Sequence, residues 1–167
     1  FEASPDPSLS VRSIEIELGI ENFMLSIGTL LGVIDSDLKF SLMPPFIRYL
    51  SEVAFIQLGD ASITGVPGEL YPEIAVGGIE NPVGADYDLA PQEVPHLRSQ
   101  FPKKLNLMVN LANDSIGYII PKSEWDNDAP WIYGETEETY GEVVSLGPNT
   151  APIIHEKIVN LIEESKK

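Results

Sequence analysis

Apolar and polar positions alternate over residues 11–18, with Val11, Ile14, Ile16 and Leu18 set against Arg12, Glu15 and Glu17. A period of two predicts a half-buried strand, with one irregularity of register between Val11 and Ile14. Residues 22–34 are apolar and glycine-punctuated, which suits strand or buried helix, and one or two strands are the favoured reading. Pro44 and Pro45 then break the chain. Two partly β-branched apolar runs follow, 52–58 and 61–66, joined by Gly59-Asp60. A two-residue connection containing glycine predicts a hairpin, and Pro67-Gly68 ends its second strand. Leu105, Leu107, Val109 and Leu111 share one face of a further strand over 104–111. Ile154, Ile158, Leu161 and Ile162 recur at helical spacing and predict a C-terminal amphipathic helix. Asn149 or Thr150 can cap it, Pro152 fits its first turn, and Lys166 and Lys167 suit the negative end of its dipole.

Two irregular stretches separate these elements. Residues 70–102 form a long Pro/Gly-rich loop of the kind that covers a site or inserts flexibly. Residues 122–142 form a second loop, rich in tryptophan and acids. Residues 1–10, with Pro5, Pro7 and three serines, read as a loop or frayed end. The pattern as a whole predicts an α/β fold: a mixed β-sheet with a hairpin and a C-terminal helix, one domain over 1–167.

Charge narrows the partners. Asp and Glu number 26 against 10 Lys and Arg, a formal net charge of −16. Nucleic acid is thereby excluded, because phosphate binding needs a basic footprint. Docking by charge alone on an anionic membrane is disfavoured for the same reason. The absence of cysteine rules out disulfides, thiolate zinc ligands and cysteine nucleophiles. No apolar run approaches the roughly 20 residues that span a bilayer. The chain starts at Phe1 without a signal-peptide pattern and reads as processed or proteolysed.

Candidate chemistry is sparse. The two histidines, His96 beside Pro95 and His155 early in the C-terminal helix, lie in no ligand motif and read as bystander and structural residues. No nucleophile elbow and no phosphate loop occurs. Glu69, directly after Val66-Pro67-Gly68, delivers a carboxylate at the exit of a strand, where a metal ligand, a general base or a solvated surface glutamate are all consistent with the spacing. Asn113 and Tyr118 follow the 104–111 strand and can line a pocket at the same sheet edge or simply pack there.

Taken in order, these segments resemble the neutral and alkaline, non-lysosomal ceramidase family. The resemblance runs from Val53 to Ile162 through Val66-Pro67-Gly68-Glu69, the Asn113 to Tyr118 stretch, Pro121-Lys122-Ser123-Glu124, Tyr140-Gly141-Glu142 and Gly147-Pro148-Asn149-Thr150. It is that of a distant microbial relative to the C-terminal half of a larger α/β catalytic domain. The stretch between Glu69 and Tyr118 is longer here, and Leu70-Tyr71-Pro72-Glu73 replaces the family's Thr-rich continuation.

The resemblance implies a zinc-dependent amide hydrolase acting on N-acylsphingosine or a related amide lipid. Glu69 and Tyr118 would be zinc ligands and catalytic residues, and Asn113 would orient one of them. The family's two zinc histidines match neither His96 nor His155, so this chain alone would be inactive. Its partners would be the missing N-terminal half of the domain or another copy, pairing with open sheet edges. A secreted or membrane-associated setting follows from the family only. The alternative is a non-catalytic binding or structural module that kept the fold.

Overall fold

Alternation and turn chemistry build the main sheet. The computed structural model describes residues 8–33, 37–102, 105–137 and 139–166. β1 (Leu9–Gly19) runs antiparallel to β3 (Ile47–Leu58) over its whole length, and short β2 (Leu38–Phe40) adds to the start of β3. β3 turns into β4 (Ala61–Gly65) with Leu58 opposite Ala61. Gly59 has a φ of 54° and Asp60 does not share the left-handed region, the pattern of a glycine-first hairpin turn. A long connection then returns the chain to β6 (Leu105–Val109), which lies parallel to β4 at the sheet edge.

The C-terminal stripe works as its spacing predicts. α4 (Thr150–Ser165) buries Ile154, Ile158, Leu161 and Ile162 against Ile16, Leu18, Val53 and Phe55 of β1 and β3. Phe55 also stacks on Phe101, with ring centroids 6.1 Å apart. The fold is therefore α/β, a mixed sheet backed by a C-terminal helix. Among the described residues no helix is long and apolar enough to cross a membrane.

Residues 22–34 correct the sequence reading. Instead of strands they form the helix α1 (Phe23–Leu30), and Ile34 lies outside the described residues. The deciding residue is Asn22, whose Oδ1 accepts the Leu25 N–H at 3.1 Å and caps the first turn. Nor is the helix buried, since Phe23 and Met24 are exposed. The irregularity in β1 also has a cause: Ile14, Ile16 and Leu18 face α4, whereas Val11 points to the other side with Leu9. Within the expected 1–10 loop, Leu9 and Ser10 belong to β1 and residues 1–7 lie outside the described residues, as do Lys104 and Lys167.

The 70–102 stretch is more ordered than its composition suggests. It contains α2 (Pro72–Val76) and a single 3-10 turn at Leu97–Ser99, anchored by fully buried Ile74 and Leu97. A small second sheet flanks it, formed by β5 (Glu69–Leu70) and β7 (Tyr118–Ile119) in parallel.

Candidate functional site

Two glycines set the site. An added Cβ on Gly68 would meet the Gly117 carbonyl at 2.4 Å, and one on Gly117 would meet the Val144 carbonyl at 1.8 Å. Gly117 also has a φ of 84°, where side chains other than glycine are strained. Their bareness lets the two segments touch, and the Glu69 N–H donates to the Gly117 carbonyl at 2.9 Å. Pairing continues as the Tyr71 N–H donates to the Ile119 carbonyl at 3.1 Å. The result puts Glu69 directly across from Tyr118.

Their side chains meet. Glu69, its neighbour across the strand pair, is the main influence on the Tyr118 phenol and holds its pKa above the ordinary tyrosine value. Tyr71 and Tyr140 each approach Tyr118 edge-on, with centroids 6.1 and 6.0 Å away, and fix the ring between them. Tyr140 opens the short helix α3 (Tyr140–Val143).

Beside this pair, and sharing Tyr71, lies a cavity of about 610 Å³ walled by Tyr71, Glu73, Glu80, Glu124, Tyr133 and Glu142. Among the described residues its carboxylates are held by backbone N–H groups and hydroxyls, with no cation bonded to them. Glu124 accepts the Glu80 N–H at 2.6 Å, and Glu142 accepts the Asp126 N–H at 3.3 Å together with the Thr139 hydroxyl. Burial pushes Glu142 up to about 7 and raises Glu124 as well. Burial, then the nearby Glu142 charge, pushes Tyr71 up to about 12. Tyr133 also rises to about 12 through burial and its 3.0 Å hydrogen bond to Glu80.

Of the residues read from the sequence, Glu69 and Tyr118 come together and Asn113 turns elsewhere. Its amide donates to Glu52 Oε1 at 2.8 Å, from a backbone φ of 71°. The neighbouring Asp114 ties the loop to β3 by accepting from Tyr49 and Ser51 at 2.9 and 2.8 Å. Each histidine ring engages a backbone carbonyl: His96 Nδ1 meets Ala75 O at 3.2 Å, and His155 Nε2 meets Pro95 O at 2.9 Å. The sequence carries no signal for these cavity walls: Glu73, Glu80 and Tyr133 stand in no motif, and Glu124 and Glu142 enter only as part of the family resemblance.

No family model matches the chain, and neither a curated protein nor a solved structure does. Among the described residues no group of three or more His, Cys, Asp or Glu side chains is arranged to hold a metal. Glu69 and Tyr118, in register on β5 and β7, offer a carboxylate and a phenol oxygen, donor types that suit zinc.

Proposed function

We propose that this chain is part of a zinc-dependent amide hydrolase resembling the neutral ceramidases, to which it contributes Glu69 and Tyr118 as ligands. One observation carries the reading: the carboxylate and the phenol stand opposite each other on paired strands, close enough that Glu69 dominates the titration of Tyr118. Two neighbouring oxygen donors of this kind suit a cation, whose binding releases the phenol proton. The remaining donors would come from another polypeptide segment, because neither His96 nor His155 lies at a motif matching the family's zinc histidines.

What zinc supplies in such a site is Lewis acidity toward water and the amide carbonyl. The chain's own residues do the rest. Glu69 offers a charged oxygen, and Tyr118, held edge-on by Tyr71 and Tyr140, offers a phenol that can also donate to the developing oxyanion. Glu142 holds a proton near neutrality in the cavity wall, the property required of a group that exchanges one with a leaving amine. N-acylsphingosine or a related neutral amide lipid is the substrate class.

The test is made in the polypeptide that carries this segment. Glu69→Gln and Tyr118→Phe should each lower hydrolysis of N-acylsphingosine by at least about 100-fold, with reduced zinc by elemental analysis. Full zinc occupancy and an unchanged rate in Glu69→Gln would overturn the proposal. The alternative is a non-catalytic module with the same fold. It predicts no change in melting temperature on zinc titration, whereas a metal site raises it by several degrees.

A further inference from the structure

The sheet has a second face, and it is apolar. In β6, Leu105, Leu107 and Val109 point away from α4 while Asn106 and Met108 point inward, so the strand's hydrophobic side is its exposed side. The row Val11, Ile56, Ile63 and Leu107 crosses four strands in register, and Leu9 and Leu105 extend it at the two edges. Val11 is 63% exposed and Leu107 56%. Two apolar rows across four strands, Leu9, Leu58, Ala61 and Leu105 beside Val11, Ile56, Ile63 and Leu107, with Val109 beyond them, give a patch of about 300 Å², the lower end of the scale at which exposed apolar surface marks an interaction site.

One end of the patch is acidic. Glu15 and Glu52 lie directly opposite each other on β1 and β3, a like-charge pair that opposes pairing unless countered. A groove of about 310 Å³ continues from them, lined by Glu15, Asp37, Glu52 and Asp114 with no basic side chain among its described residues. We infer that this face docks an amphipathic helix of another protein segment, apolar along one stripe and basic at the end that reaches Glu15 and Glu52. Such a helix repeats on the outer face what α4 does on the inner one. A second copy fits poorly: each chain carries −16, and the patch is less than half the area per partner of a stable dimer. An anionic lipid surface is repelled by the same acidic end.

Peptide binding by fluorescence anisotropy tests this, using a synthetic helix of about 20 residues with a leucine stripe and a Lys/Arg end. Saturable binding is expected, weakened about tenfold or more by Leu107→Glu and by Glu52→Lys, with no binding of the counterpart bearing a Glu/Asp end. Val11→Glu, on the opposite edge, repeats the test should Leu107→Glu fail to fold. Equal affinity for a basic peptide with a scrambled stripe, or undiminished binding by the folded variants, would overturn the proposal. So would a wild-type dimer that Leu107→Glu dissolves, or phosphatidylcholine vesicle binding lost in that variant. The first makes the occupant a second copy, and the second makes it lipid.

Discussion

Two regions of this molecule reverse the usual placement of polarity, in opposite senses. Around the cavity, the carboxylates of Glu93, Glu124, Asp126 and Glu142 are buried. On the outer sheet face, Leu9, Val11, Leu105 and Leu107 are exposed. Neither arrangement serves the stability of the chain by itself. Burial raises the pKa of Glu124, Asp126 and Glu142 and opposes their ionisation, while exposed leucines forgo the transfer free energy of burial. The difference lies in how each is held. The acidic region is fixed by hydrogen-bond donors and tight glycine contacts, which preorganises it, whereas the apolar face is a regular strand surface left exposed among the described residues. A preorganised polar site suits chemistry, and a flat apolar face suits association.

The sharpest way to break this contrast is at the backbone of the site. Gly117→Ala places a methyl group against the Val144 carbonyl and asks alanine to adopt a φ of 84°. It should lower unfolding free energy by about 3 kcal/mol or more in urea denaturation. A loss under about 1 kcal/mol would mean that the β5 and β7 segments are not tightly specified.

Glu142 gives a smaller, pH-dependent effect. Its pKa rises from 4.5 to about 7 on folding, so between those values the folded state keeps a proton that the unfolded state has lost. Its contribution to stability is therefore greatest at low pH and declines as pH rises through that window, by on the order of 2 kcal/mol. Glu142→Gln should flatten the dependence of the melting temperature on pH between about 4.5 and 7 and stabilise the protein above it. An unchanged pH profile would place the carboxylate in a more solvated setting.

The outer face should respond least. Leu107→Ser removes an exposed side chain and should change stability by no more than about 0.5 kcal/mol, while reducing binding of an apolar fluorescent dye. A cost of several kcal/mol would show that the face is already covered.

The sequence made some of this legible and hid the rest for physical reasons. The hairpin at Gly59-Asp60 and the stripe of α4 were readable because each is set by local spacing. Alternation in β6 showed that Leu105, Leu107 and Val109 share a face, but period alone does not say which face of a sheet the helix covers. α1 was misread because one capping residue, Asn22, outweighs a glycine-rich apolar composition. Glu69 and Tyr118 stand in ordered motifs and are brought into register by β5 and β7, whereas Asn113 pairs with Glu52, a contact between distant segments with no sequence signal. The cavity's acids are gathered from separate loops, where no periodicity exists to detect.

Zinc-edge X-ray absorption on the polypeptide that carries this segment tests the central reading most directly. A mixed shell of nitrogen and oxygen is expected, losing one oxygen scatterer in Glu69→Gln and another in Tyr118→Phe. A shell unaltered by either substitution would remove both side chains from the metal and contradict the account.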